Sequence, residues 1–164
     1  MISLKIPEVK IFMAKLLAQE IFDTFIVKDM ELVTFTSFKM NGSFHKDFFT
    51  EEELEERGDN LVALWSDIRS IAFAMIKGNK TPLSLKIVFQ LPRDLTEKLM
   101  ERLSDRMSVE DIGGLYINVR FDKGELHIIT GTAIKTFTLD KTLEQEWDSK
   151  VKEILKYQGI VYEE

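Results

Sequence analysis

One four-letter word occurs twice in this chain and constrains its architecture more than any other feature. "SLKI" stands at Ser3–Ile6 and again at Ser84–Ile87, an offset of 81 in a chain of 164 residues. Two other landmarks keep the spacing: Trp65 matches Trp147 at 82, and Gly78 matches Gly159 at 81. Half of 164 is 82. A fixed offset of this kind is the mark of an internal duplication, here of units 1–81 and 82–164. No Pro/Gly/Ser-rich linker separates them, since "KGNKTPLSL" is only a turn. A unit of four strands and two helices closes a core poorly by itself. The chain is therefore expected to be a single domain, 1–164, built of two repeats, with an α+β fold.

Each half reads β-α-β-β-β-α. In the first, "ISLKI" is a strand, and Pro7 opens a helix with Val9, Phe12, Met13, Leu16 and Leu17 at helical spacing. "TFIV" and "MELVTFTSF" follow as strands, with Lys28-Asp29 as a tight turn. Asn41-Gly42 is the strongest hairpin signal, because both residues tolerate positive φ, and "SFHKDFF" is the returning strand. Thr50 and Glu53 have capping-box spacing. The helix they open is interrupted near Gly58, buries Leu61, Leu64, Trp65, Ile68, Ile71, Ala72 and Met75, and stops at Gly78.

In the second half "LSLKIVFQL" is a strand, Pro92 and Asp94 open a helix, and "GLYINVRF" alternates as a strand. "DKG" turns the chain into "ELHIITGT", and "AIKTFTL" is a third strand. The last helix starts near Lys141, carries Leu143, Trp147, Val151, Ile154 and Leu155 inward, and ends at Gly159. The expected whole is a mainly antiparallel sheet with helices packed on one face.

Composition excludes several function classes. The chain has no cysteine, so disulfides and thiolate metal sites are ruled out. No apolar run approaches the roughly 20 residues of a membrane span, and "MISLKIPEVK" lacks the apolar core of a signal peptide. A cytoplasmic, membrane-free protein is the expectation. The net charge is −6. The stretch Thr50–Asp59 holds six acids and one base, or −5, which leaves −6 − (−5) = −1 for the rest. An acidic patch on a near-neutral chain is the opposite of a nucleic-acid footprint.

Motifs for chemistry are sparse. No G-x-G-x-x-G, P-loop, G-x-S-x-G or H-E-x-x-H is present, and no cofactor is implied. Of the two histidines, His45 lies two residues from Asp47. On a strand the pair shares a face, as a base and its orienting acid would; the competing reading is a surface histidine beside a surface acid. His127 reads as a sheet histidine. Two histidines without a further ligand argue against zinc. Glu51–Glu56 lack the alternating oxygen ligands of a calcium loop and read as a solvated helix start or as a docking site for a basic partner. In "FKMNGSFHKDFF" the four phenylalanines Phe38, Phe44, Phe48 and Phe49 cannot share one side of a hairpin. Phe49, pointing away from Phe44 and Phe48, joins His45 and Asp47 as a candidate binding residue.

Three resemblances add to this reading. The run "GLYINVRFDKGELHIITGTAIKTFTL" is similar in layout to the strands of sliding DNA clamps, and the order strand, helix, strands, helix resembles the TATA-binding-protein fold. "PLSLKIVFQL", "SFHKDFF" and "KTFTLDKTLEQEWD" resemble a family of uncharacterised proteins, a domain of unknown function, from anaerobic Gram-positive bacteria. That resemblance implies an intracellular bacterial protein and supplies no activity. A clamp would line its pore with basic first helices. Here 7–18 sums to +1 and 93–106 to zero, a poor counterion-releasing surface.

The functional expectation is a non-enzymatic binding or assembly protein that acts through a surface, with a protein partner or itself. The alternative is a small-ligand-binding protein or enzyme with a pocket near His45 and Asp47. A clamp-like DNA factor ranks below both.

Overall fold

The structure, a computed structural model, describes residues 1–76, 80–103 and 107–164. Six strands form a single antiparallel sheet: β1 (Ser3–Ile6), β2 (Ile26–Val33), β3 (Ser37–Met40), β4 (Ser84–Gln90), β5 (Ile112–Asp122) and β6 (Glu125–Ile134). Their order across the sheet is β1-β6-β5-β4-β2-β3. Among the described residues, five α-helices accompany them: α1 (Val9–Ala18), α2 (Glu51–Arg57), α3 (Trp65–Ile76), α4 (Arg93–Met100) and α5 (Thr142–Tyr157).

Period-2 alternation sends one set of side chains from every strand to one face. Leu4, Ile6, Met30, Leu32, Leu85, Ile87, Phe89, Ile117, Val119, Phe121, Leu126 and Ile128 are all buried there. They join the buried residues of α1, α3 and α5 in one core cluster. Both tryptophans lie at its centre with 0% exposure. Each needs a partner for its indole N–H. Trp65 Nε1 donates to Leu16 O at 2.9 Å, tying the start of α3 to the end of α1. Trp147 Nε1 donates to Tyr116 O at 2.9 Å, tying α5 to β5. Phe89 carries the core outward from the sheet, with Phe22 stacked on it at 5.4 Å and Trp65 edge-on at 5.5 Å.

Both "SLKI" words are strands, in different surroundings. β4 is interior, between β2 and β5, whereas β1 is an edge strand beside β6. The first half thus sends β1 around to close the far side of the second half's β4-β5-β6 meander. Gly78, the expected helix stop, lies outside the described residues. So do Asp105 and Arg106 of the charge sum over 93–106.

Four expectations differ from the structure. Lys28-Asp29 is no turn: β2 runs through as one strand, with a bulge between Val27 and Asp29 where it pairs with β4. The hairpin instead closes at Thr34–Thr36, where Thr34 N donates to Thr36 O at 2.9 Å. Asn41-Gly42 does bend the chain, with Gly42 at φ +68° and Ser43 N donating to Asn41 Oδ1 at 3.0 Å. It leads out of the sheet, and "SFHKDFF" becomes a loop with a 3-10 turn at Lys46–Phe48. The third strand at "AIKTFTL" is also absent: β6 continues only to Ile134 and the chain then leaves, with Phe137 92% and Leu139 82% exposed.

The interruption expected near Gly58 is present and divides two helices, but it changes which side chains of the second are buried. Thr50 and Glu53 form the capping box, but Gly58, at φ +59°, ends α2. Residues 59–64 then pack against β2, with Val27 N donating to Ala63 O at 2.8 Å. The break rotates the following stripe, which leaves Ile71 49% exposed. The β5–β6 hairpin forms as the sequence predicts. Lys123 and Gly124, at φ +51° and +78°, make a two-residue turn whose twist suits the flanking strands.

Candidate binding surface

The second face of the sheet carries no buried side chain from β1, β2, β3, β4 or β6. Antiparallel sheets commonly leave one face to solvent. Its charges here are ordered by register. Lys5 pairs with His127, His127 with Arg120, Arg120 with Lys86, Lys86 with Glu31, and Glu31 with Lys39. One polar residue from each strand therefore forms a transverse row across all six. Adjacent strands lie about 4.8 Å apart, so Lys5, His127, Arg120 and Lys86 stand in consecutive steps along it.

One step of the row runs against ordinary sheet energetics, while Glu31 sets an opposite charge beside Lys86 and Lys39. Like charges directly opposite each other on neighbouring strands destabilise a sheet, and Lys86 faces Arg120 across the β4–β5 ladder. Lys5 meets Glu125 of the next row at 3.7 Å. Among the described residues, Lys86, Arg120 and Lys39 have no ion-pair partner within 4 Å. On one side of the row Asp122 pairs with Glu125; on the other stand half-buried Val88, Asn118 and Ile129. The result is a mainly basic strip, bordered on one side by Asp122 and Glu125 and on the other by a mixed row of Ile129, Asn118, Val88 and the exposed Asp29 that pairs with Val88.

His45, Asp47 and Phe49 lie elsewhere and are not brought together as a site. His45 and Asp47 are both exposed, before and within the 3-10 turn. Their expected common face depended on strand alternation. A 3-10 turn advances about 120° per residue, so that alignment is lost. Phe49 has a packing role. Its ring stacks on Phe44 at 5.2 Å, and the Arg57 guanidinium lies 5.1 Å from the Phe44 centroid and 5.3 Å from that of Phe49.

Arg57 is the residue that organises this region. It donates Nη1 and Nη2 to the two Asp67 oxygens at 3.1 and 2.9 Å, Nε to Asn60 O at 3.1 Å, and Nη2 to Val62 O at 2.9 Å. The hydrogen bond from Arg57 is the main reason the Asp67 carboxyl titrates below the usual carboxylate range. A lone arginine at the end of five glutamates was the available sequence signal for it. The cationic row had a fainter one: Lys5 and Lys86 are the same letter of the repeated word, and each needs its strand's register before it joins Arg120 and His127.

Among the described residues, no group of three or more His, Asp or Glu is placed to hold a metal ion, and no helix is long and apolar enough to cross a membrane. No curated protein matches the chain, and no solved structure matches it. A family model, described as a family of unknown function (DUF5721), matches residues 15–163, which takes in all six strands except β1 and all five helices but the start of α1. The chain belongs to that family.

Proposed function

We propose that this protein is a binding and assembly protein that works through the open face of its sheet, and that the face takes an acidic helix from a second copy. The observation that carries the reading is the run Lys5–His127–Arg120–Lys86 in register across four neighbouring strands. Lys86 facing Arg120 is a like-charge pair that weakens its own ladder, and an anionic partner that neutralises it accounts for its presence.

The chain supplies such a partner in α2. It carries Glu51, Glu52, Glu53, Glu55 and Glu56 and has no buried residue. Leu54 is half-buried and Arg57 is held by Asp67, so these two define its inner side. Turning 100° per residue from there puts Glu52, Glu55 and Glu56 outward. Glu52 and Glu56 are about 6 Å apart along the axis, close to the roughly 4.8 Å step between cations on the sheet. Contact of one copy's α2 with another's sheet closes a two-fold dimer where it is reciprocal and builds rings or open chains where it runs head-to-tail.

Sedimentation of the purified chain from about 10 mM to about 1 M salt tests this, because the Debye length falls from about 30 to about 3 Å over that range. Association at low salt that dissolves at high salt is expected. A monomer throughout, at concentrations up to the millimolar range, ends the proposal.

A further inference from the structure

The helical side of the molecule holds a second feature, independent of the sheet face. A groove of about 400 Å³ runs between α4 and α5. Its floor includes Phe25, Leu91 and Ile154, and its rim carries Lys98, Arg102 and Lys150. Among the described residues, no acidic residue lines it, in a chain with 28 acids against 22 lysines and arginines.

The rim cations have a simple structural origin. Lys98 and Arg102 are four residues apart, so they stand above one another on the groove side of α4 and the turn after it. Lys150 and Ile154 have the same spacing on α5, which places a cation beside the apolar floor. Lys150 also meets Glu153 at 3.3 Å, an exposed pair one turn along the same helix. Lys98 and Arg102 have no ion-pair partner within 4 Å among the described residues.

We infer that this groove binds a small amphiphile with one anionic head and an unbranched aliphatic body, an alkyl carboxylate. Charge complementarity selects the head, since three cations line the groove with no carboxylate among its described lining residues. The apolar floor selects the body. The volume lies within the roughly 300–1,000 Å³ typical of small-molecule sites. An inorganic anion would leave the floor in water, and a neutral alcohol would leave the cations unanswered.

Isothermal titration of the intact chain separates these cases, using decanoate, decanol, decyltrimethylammonium and acetate as probes. Decanoate is expected to bind, with decanol and acetate each weaker by at least about tenfold, because a charge-assisted hydrogen bond and burial of the chain each contribute on that scale. The cationic probe is expected not to bind. Lys98→Glu with Arg102→Glu, both at exposed positions, is expected to weaken decanoate by about tenfold or more. Chemical-shift mapping on the unaltered protein needs no variant, and its largest changes belong on Leu95–Arg102 and Lys150–Gln158. Equal binding of decanoate and decanol, shifts centred elsewhere, or no decanoate binding at millimolar concentration would each overturn the inference.

Discussion

Gly42→Ala is the substitution that most sharply tests the loop that replaces the expected hairpin. Gly42 has φ +68°, a region that L-residues reach only with strain. A Cβ built there would land far inside van der Waals contact distance of Val27 O and 3.0 Å from Lys28 O. Both oxygens belong to the bulge of β2, so neither yields without disturbing the ladder to β4. The left-handed conformation costs about 1–2 kcal/mol for a residue with a side chain. Forced overpacking adds about 1–3 kcal/mol, so the total is about 2–5 kcal/mol. Gly124→Ala separates the two contributions. Gly124 has φ +78°, but nothing lies within 4 Å of its built Cβ, so it should lose only the conformational part. Urea titrations followed by tryptophan fluorescence read the difference, and each kcal/mol lowers Tm by about 2–4 °C in a chain of this size. Equal losses for the two alanines would show that Gly42 does not press against β2.

Arg57→Lys should cost about 1–3 kcal/mol, since an ammonium cannot reproduce the fork to Asp67 together with the two carbonyl contacts; amide hydrogen exchange should show residues 59–64 opening first, and unchanged protection there would count against the clamp. The Asp67 carboxyl has a lowered folded-state pKa, so its stabilisation is present above the ordinary value near 4 and is lost as pH falls through the folded value. Asp67→Asn should therefore flatten the acid limb of the stability profile below about pH 4, and an unchanged limb would assign that limb to other groups. Trp65→Phe removes the donor to Leu16 O and leaves a core carbonyl without its partner, for a loss of about 1–3 kcal/mol in denaturant titration; a loss under about 0.5 kcal/mol would mean that water or a shifted α1 replaces the bond.

The core was legible because burial imposes a period. The alternation of "GLYINVRF" puts Leu115, Ile117, Val119 and Phe121 on one side, and all four are buried; the capping box places the start of α2 to the residue. Failures came where two local signals competed. Asn41-Gly42 and Lys28-Asp29 are both turn-like dipeptides, yet only the first bends the chain, because β2 takes up Lys28-Asp29 as a bulge while continuing its pairing with β4. "AIKTFTL" has strand propensity, but the segment from Lys135 onward lies past Ile112, where pairing with β5 ends. Strand propensity without a partner is not a strand.

The binding features were hidden for a different reason. Lys5, Lys86, Arg120 and His127 span 123 positions of sequence. Only the register of three ladders places them side by side. His45 and Asp47 are neighbours in sequence, and their common face depends on strand alternation, which the 3-10 turn at Lys46–Phe48 does not supply.

The most direct test of the proposed assembly is a charge-swap mixing experiment read by sedimentation at low salt. One variant carries Lys86→Glu with Arg120→Glu, making its sheet row acidic; the other carries Glu52→Lys with Glu56→Lys, making its α2 basic. Each variant alone presents like charges on row and helix and should remain monomeric. Mixed in equal amounts, each offers the other a complementary surface, and association should return. Variants that associate alone as the unaltered chain does, or that stay monomeric when mixed, would contradict the assignment of α2 to the open face.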